Sequence, residues 1–362
     1  MTFAVVEYSS KSGDIWQHTK ERPNYLCDPA LEMDPTSFGC YVSAMSGEHI
    51  PLVKIINTAS FINRLYRKIN GHWPNQYSLD YFGKFDRLLV IHEAANSATL
   101  TSFIRRLKSR YPHLKILGVP TQPYGLLRLQ WHHDHQILTN LQEFSQACDA
   151  FITIAKSTTE SWQNITQRPV YYLPQPYPVE FATKYWKPQA EKQPIIFIPG
   201  VTDRPQIILG HQVAVALQKQ FPDHVIHVTA TPNTPLDLSV LTGANYQVQT
   251  FLPWHDHLRY LSAVKLVINT DFTQTRGRVQ MDCAAVGTSS VGADSDAQLD
   301  LFPHQAAGPK DSLDEIIAAA RDLLANKKKY QTTIDFARAK LPFYSYEQSA
   351  HRINHLYSLI NQ

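Results

Sequence analysis

The sequence predicts an α/β protein built from two doubly wound parallel sheets. In the first half, short buried-strand patterns alternate with helical patterns over residues 86–173. The same alternation starts again at residue 195 and continues to residue 292. Strands and helices that alternate at this spacing are typical of parallel sheets with helices on both faces. With 362 residues, the chain is long enough for two such domains.

Composition and charge are those of an ordinary globular protein. Apolar residues make up 43% of the chain and charged residues 18%, so it can bury sizeable cores. The formal net charge of +3 is too small to require a nucleic-acid partner. No apolar run approaches the roughly 20 residues of a membrane span, and the first strand begins without a signal peptide's basic and apolar regions. We therefore expect a cytoplasmic protein.

The first half opens with a predicted strand, and the segment after it has no regular pattern of strands and helices. Residues 2–8 predict a strand that ends in a polar loop with one glycine, Gly13. Prolines interrupt residues 16–83, within which residues 54–70 have the apolar spacing of a helix. The basic residues of that helix form either a solvated face or a patch for a membrane surface or an acidic acceptor.

Regular alternation begins at residue 86. A buried strand at residues 86–91 ends in His92 and Glu93, at the strand end where ligands of parallel sheets gather. A histidine there either exchanges a proton or anchors a loop, and Glu93 is the nearby carboxylate able to act as a base. Helices are predicted at residues 98–111, 136–147 and 158–164, and strands at 114–119, 150–154 and 170–173.

A polar linker at residues 181–193 is predicted to separate domain 1–180 from domain 194–342. In the second domain, the loop after the first strand carries Gly200 and Arg204. Predicted strands lie at 195–198, 225–229, 246–250, 263–269 and 289–292, and helices at 206–220 and 257–262. Later, Ser312 and Glu315 predict a capping box for a helix that should end at residues 327–329.

The stretch at residues 269–292 combines a strand, a glycine-containing loop, a short helix and a second strand. A helix N-terminus at the edge of a parallel sheet offers unpaired N–H groups to an anion. Gly277 lets the backbone come close to such an anion, and Arg276 and Arg278 add positive charge. Asp282, about one turn deeper, is placed to accept hydrogen bonds from ribose hydroxyls. The stretch therefore predicts a nucleoside diphosphate site, with an ordinary βαβ turn as the alternative.

The same stretch resembles the donor-site signature of GT-B glycosyltransferases of the GT4-like class. That signature is Glu, seven residues, Glu, then alanine and a Gly-Thr-Pro turn. Gln274 falls on the first glutamate, Asp282 on the second, and Ser289 on the proline. The order of other motifs is similar as well, including CDAFITIAKST, YYLPQPYPVEF and the LPFYSY that precedes the last helix.

The resemblance implies two Rossmann-like domains that face each other across a cleft, with residues 343–362 crossing back to the first domain. It implies that Gly13, Gly200 and Arg204 face the donor phosphates. It places the nucleobase near Leu252 and Pro253. Gln274 would contact the transferred sugar, and the catalytic candidates are Gln274, His92 and Glu93.

The implied activity is transfer of a sugar, expected to be a hexose, from a nucleotide-sugar donor to a hydroxyl acceptor. The acceptor is a saccharide, a lipid-linked molecule or another hydroxyl compound. A UDP-sugar is the expected donor, with retention of anomeric configuration and no cofactor or metal. Two alternatives stay open: a catalytically silent module that binds a sugar nucleotide or a partner glycosyltransferase, and a DNA-base glucosyltransferase. Contact with a membrane surface is a further expectation, and a nucleic-acid partner is not expected.

Neither the cysteines nor the histidines predict a metal site. Cys27, Cys40, Cys148 and Cys283 lack CxxC spacing, so we expect free thiols. Three histidines fall within residues 131–135, WHHDH, but adjacent side chains of one helix or loop point in different directions. We expect a helix start or an acceptor-facing loop there.

Overall fold

The computed structural model describes residues 2–7, 38–51, 61, 65, 68–69, 79–199, 207–230, 238–250 and 252–360. These residues form two parallel sheets, each with apolar clusters on both faces, which confirms the predicted α/β class. Within the described ranges, no helix is both long enough and apolar enough to cross a membrane.

The first sheet has six parallel strands in the order β2-β1-β3-β4-β5-β6. They are β1 (Phe3–Glu7), β2 (Glu48–Pro51), β3 (Arg87–His92), β4 (Lys115–Pro120), β5 (Ala150–Thr153) and β6 (Val170–Tyr172). Every residue of β3 is buried, as expected of a central strand with helices on both faces. Because His92 pairs with Pro120, the carboxyl ends of β3 and β4 lie together at one edge.

The first half contains one helix more than predicted between β4 and β5. Its helices are α1 (Gly39–Met45), α2 (Ser97–Arg110), α3 (Tyr124–His133), α4 (His135–Ala147), α5 (Thr159–Thr166) and α6 (Val179–Ala182). The sequence predicted α4 but missed α3, whose side chains are mostly half-buried or exposed and give weak periodicity. Asp134 separates the two helices because its backbone is extended, and its side chain accepts from Gln136 N. The WHHDH stretch therefore spans one helix end and the next helix start.

The second sheet has five parallel strands in the order β11-β10-β7-β8-β9. They are β7 (Ile195–Ile198), β8 (Val225–Ala230), β9 (Tyr246–Thr250), β10 (Leu266–Asn269) and β11 (Ser289–Gly292). The helices are α7 (Ile207–Gln220), α8 (Trp254–Ala263), α9 (Arg278–Val286), α10 (Asp296–Leu301), α11 (Leu313–Ala325) and α12 (Lys327–Lys340). β10 begins three residues later than predicted, because α8 continues to Ala263.

The predicted capping box is confirmed at the start of α11. Ser312 Oγ accepts from Glu315 N, and the Glu315 carboxylate accepts from Ser312 N. The predicted role of residues 327–329 is wrong. They form the first turn of α12 rather than the last turn of α11, because Asn326 caps a new helix by accepting from Lys329 N at 2.9 Å.

The last helix, α13 (Tyr346–Leu359), packs on the first sheet and not on the second. Ile353, Leu356 and Tyr357 share an apolar cluster with Val5 and Leu89. The hydroxyl of Tyr357 donates to the Leu88 carbonyl at 2.9 Å. The predicted return of the chain to the first domain is thus confirmed, while the residue limits of the domains stay a prediction.

Candidate functional site

The loop between β10 and α9 is held by short hydrogen bonds of its own side chains. Asn269 Oδ1 accepts from Asp271 N at 3.1 Å. Asp271 Oδ1 in turn accepts from the backbone N of Thr273 at 3.0 Å and from its hydroxyl at 2.6 Å. These turns let the chain leave the carboxyl end of β10 in a defined direction, toward the first sheet.

Gln274 lies where the two halves of the molecule meet. Its φ of 57° is in the left-handed region, which a non-glycine residue adopts at a cost. Its backbone N donates to Asp294 Oδ1 at 3.2 Å, and its side-chain Nε2 lies 3.4 Å from Ser157 Oγ of the first half. Sequence reasoning selected Gln274 but could not foresee Ser157, since the two are far apart in the chain.

Arg276 also reaches across to the first half. One guanidinium nitrogen donates to the Thr121 carbonyl at 2.6 Å, and the guanidinium lies 4.2 Å from the ring centre of Phe38. The backbone N of Gly125 donates to the Thr273 carbonyl at 3.2 Å nearby. Arg276 therefore joins the two halves in this conformation. The sequence predicted instead that its charge would contact a phosphate.

Gly277 has two structural reasons to be glycine. It caps α9 with φ 73°, in the left-handed region. A Cβ at this position would lie 2.3 Å from the Ala297 Cβ, so α10 packs directly against the glycine. The sequence explained Gly277 by the close approach of an anion, and the packing against α10 explains the glycine without one.

Half-buried Arg278 and buried Asp282 form an ion pair on α9. Arg278 Nε lies 3.0 Å from both carboxylate oxygens, and Asp282 is only 3% exposed. The hydroxyl of Tyr177 donates to Asp282 Oδ1 at 2.8 Å, and Trp254 Nε1 donates to the same atom at 3.0 Å. Three side-chain donors on so deeply buried a carboxylate favour an anchoring role for Asp282 over the predicted contact with ribose hydroxyls.

His92 is enclosed at the end of β3. It is 1% exposed, its ring packs 4.8 Å from that of Phe144, and burial lowers its pKa to about 4. Ser97 donates its hydroxyl proton to the Asn140 carbonyl at 2.8 Å, so the 3.0 Å contact with His92 requires Nε2 to carry the proton. This environment favours the loop-anchoring alternative for His92 over proton exchange.

Glu93, in contrast, remains partly exposed at the same edge. One carboxylate oxygen accepts from Asn96 Nδ2 at 2.7 Å, which orients the group. A partly exposed carboxylate at the carboxyl edge of the sheet suits the predicted acceptor base.

Asp294 is a candidate residue that the sequence reasoning missed. It follows β11 and accepts from the backbone of Gln274 at 3.2 Å. Burial, helped by the nearby charges of Asp271 and Asp296, raises its pKa to about 6. Asp296 accepts from Lys156 N of the first half at 2.5 Å. The available signal was a carboxylate shortly after a strand end, in VGADSD.

Solved structures of known proteins have the same architecture, whereas no family model and no curated protein matches the sequence. Trehalose-6-phosphate synthase OtsA is similar with a TM-score of 0.65 at 11% identity, covering 100% of this chain and 99% of its own. Anabaena HepE, solved in complex with UDP and glucose, has a TM-score of 0.64 at 11% identity. A sucrose-phosphate synthase from Thermosynechococcus elongatus has a TM-score of 0.63 at 14% identity. Both of these alignments cover 99% of each chain.

The chain has the GT-B fold.

In this GT-B frame, Leu252 and Pro253 follow β9 at the far edge of the second sheet. Three strands, β7, β8 and β10, separate β9 from β11, so these two residues lie away from Asp294. Gly13, Gly200 and Arg204 fall outside the described residues. The predicted contacts of all five with a donor stay predictions.

The cysteines and the possible metal ligands of the GT-B chain were also assigned from the sequence. Cys148 and Cys283 are buried free thiols, as predicted, Cys40 is also buried, and Cys27 lies outside the described residues. Among the residues that the structure describes, no three His, Cys, Asp or Glu side chains are grouped as metal ligands would be.

Proposed function

We propose that this protein is a glycosyltransferase that takes a hexose from a nucleoside-diphosphate donor and passes it to a hydroxyl acceptor. The observation that carries the proposal is the Gln274 loop of this GT-B fold. It leaves the carboxyl end of β10 and meets the first half at Ser157 and Thr121. A loop at that position adjoins both sheets, where a donor on one side and an acceptor on the other come together.

The leaving diphosphate gains negative charge as the glycosidic bond breaks. The N-terminus of α9 offers N–H groups and a favourable dipole there. Arg278 lies on the same turn, and Asp282, Tyr177 and Trp254 hold its guanidinium in place. A cation fixed in advance stabilises developing charge without reorganising during the reaction. Together with Arg204, these groups would do the work for which other enzymes use a metal, so we propose a metal-independent reaction.

Gln274 and Asp294 are proposed to bind the transferred sugar. The amide of Gln274 is able to donate to sugar hydroxyls, and Asp294 beside it supplies an acceptor. Glu93 on the opposite side is the proposed base for the acceptor hydroxyl. UDP-sugar is the proposed donor. Retention of anomeric configuration is part of the same proposal, and it requires the acceptor hydroxyl to attack the face of the sugar that the diphosphate leaves.

The first test measures binding of UDP, GDP, ADP, dTDP and CMP by thermal shift, once in EDTA and once in Mg²⁺. We expect one nucleotide to raise the melting temperature equally in both conditions, and its hexose conjugate to be hydrolysed slowly without acceptor. Gln274→Ala should weaken sugar-nucleotide binding, whereas Gln331→Ala on α12 should not. No stabilisation by any nucleotide at millimolar concentration would rule out the donor site.

A donor-binding module without turnover is the second candidate. It is favoured by Gln274 in place of a carboxylate and by the buried, neutral His92. This second candidate would be selected if the protein binds one sugar nucleotide tightly but releases no free nucleotide over hours, whichever acceptor is added.

A further inference from the structure

Phe61, Leu65 and Ile69 form an exposed apolar stripe on helical backbone. Phe61 and Ile69 are each 72% exposed, and Leu65 is 45% exposed. Residues spaced by four lie on one face of a helix, so the three side chains form one surface. The other large apolar side chains exposed in the described ranges, such as Leu129 and Phe336, are not spaced as such a stripe. Single exposed apolar residues are normal, but three in a row on one helical face call for a partner.

The charge around the stripe is of one sign. From residue 49 to residue 79 the sequence contains no Asp or Glu, and it contains Lys54, Arg64, Arg67 and Lys68. Lys68 is exposed and lies seven residues, about two turns, after Phe61, so it borders the apolar stripe. A helix with an apolar face bordered by Lys and Arg is the pattern of segments that lie flat in the interface of an anionic membrane.

We propose that Phe61, Leu65, Lys68 and Ile69 form a docking surface for an anionic lipid membrane. The apolar side chains enter the boundary between headgroups and acyl chains, and the cations bind lipid phosphates. Leu65 and Ile69 are aliphatic and cannot stack on bases as a nucleic-acid site requires, so Phe61 is the one ring of the stripe, which favours lipid over nucleic acid.

The test is sedimentation of the full chain with vesicles, without nucleotide, so that it does not depend on the proposed transferase activity. Vesicles of phosphatidylcholine with phosphatidylglycerol are compared with phosphatidylcholine alone. We expect binding to the anionic vesicles that weakens with salt. Phe61→Ser with Ile69→Ser should weaken it at least about tenfold, since apolar burial is lost. The matched control is Val248→Ser with Phe336→Ser, an exposed apolar pair elsewhere.

A second variant tests the charge separately. Lys68→Glu should weaken binding to anionic vesicles several-fold, whereas Lys328→Glu, in another run of lysines, should not. Because all of these side chains are exposed, the melting temperature of each variant should stay near that of the unchanged protein. Equal binding by folded wild-type and stripe variants, or no binding to anionic vesicles, would overturn the proposal. A dimer that Phe61→Ser with Ile69→Ser converts to a monomer would also overturn it and assign the stripe to a protein interface.

Discussion

Asp294 illustrates how burial and neighbouring charge tune a single carboxyl group. Burial raises its pKa from an ordinary value near 3.8 to about 6, and the charges of Asp271 and Asp296 act in the same direction. The sequence led to Gln274 because that residue falls on a motif, but Asp294 follows another strand. Only pairing of β10 with β11 brings the two together. Contacts of this kind depend on which strands pair, so they could not be predicted from the sequence one residue at a time.

We expect Asp294 to make stability depend on pH in acid. Its folded-state pKa is raised, so between about pH 4 and pH 6 the folded state binds more protons than the unfolded state, and stability falls as pH rises. Relative to Asp294→Asn, the wild-type protein should lose on the order of 1–2 kcal/mol of unfolding free energy between pH 4 and pH 7. Urea unfolding of both proteins across this range measures the difference. Parallel curves would show that Asp294 has an ordinary pKa.

Asp282 depends on its donors for its place in the core. Tyr177→Phe removes one donor from a buried carboxylate and should cost about 1.5–3 kcal/mol of unfolding free energy. Tyr246→Phe on the exposed edge strand is the matched control and should cost almost nothing. If Asp282 anchors Arg278 rather than a ribose, Tyr177→Phe should lower the free energy of unfolding by more than it weakens the free energy of nucleotide binding. Titration calorimetry measures the binding free energy. A large loss of affinity with stability unchanged would favour the ribose contact.

At the scale of elements, local signals predicted beginnings better than ends. The capping box at Ser312 needs only four consecutive residues, and the structure has it as predicted. The end of α11 was missed, because Asn326 starts a second helix at once and the lysines that follow looked like a C-terminal turn. α3 was missed because its apolar residues, among them Leu127, are not in a regular buried stripe.

Lys192 fastens the predicted linker to the carboxyl ends of α8 and α9. Its Nζ donates to the carbonyls of Ser262 and Val286 and to the hydroxyl of Thr288, at 2.8–2.9 Å. Three acceptors favour the ammonium form, whereas burial lowers the pKa of Lys192 to about 7. The direction of the shift follows from burial, and the three acceptors limit its size.

Because the folded-state pKa of Lys192 is lowered, the unfolded state binds more protons between about pH 7 and pH 10. Stability should therefore rise with pH across that window in the wild-type protein more than in Lys192→Met. At pH 7 the variant should also be less stable by about 1–3 kcal/mol, because buried carbonyls lose their donor. Lys184→Met, on a less buried lysine of the same polar stretch, is the control. Equal pH slopes for all three proteins, from chemical denaturation, would show that Lys192 is not perturbed.

At the scale of the whole molecule, the two sheets were predictable from alternation, but their contact was not. The strand and helix patterns repeat in each half, and parallel sheets follow from that repetition. The contact between halves includes polar groups from loops and helix ends, such as the Lys156 backbone with Asp296 and Arg276 with Thr121. Loops carry little periodic signal, so such pairs become visible only in three dimensions.

Arg276 tests whether this contact matters for the proposed transfer. Because it binds the Thr121 carbonyl and lies over Phe38, its loss should loosen the two halves while the donor groups of α9 remain. Turnover of a GT-B enzyme requires both halves around the substrates, and misplacement by about 1 Å costs on the order of a hundredfold. We therefore expect Arg276→Ala to lower kcat at least about tenfold, with donor affinity changed less than about threefold.

Arg259→Ala is the matched control, since that arginine pairs with Asp256 within its own helix, α8. Steady-state kinetics with donor titration separates the two effects. If Arg276 instead binds the donor phosphates as the sequence suggested, Arg276→Ala will weaken nucleotide affinity by more than tenfold, and Arg276→Lys will restore much of it. A fall in kcat alone, which lysine does not restore, assigns Arg276 to the contact, because an ammonium cannot reproduce a planar group stacked on Phe38 while donating to a carbonyl.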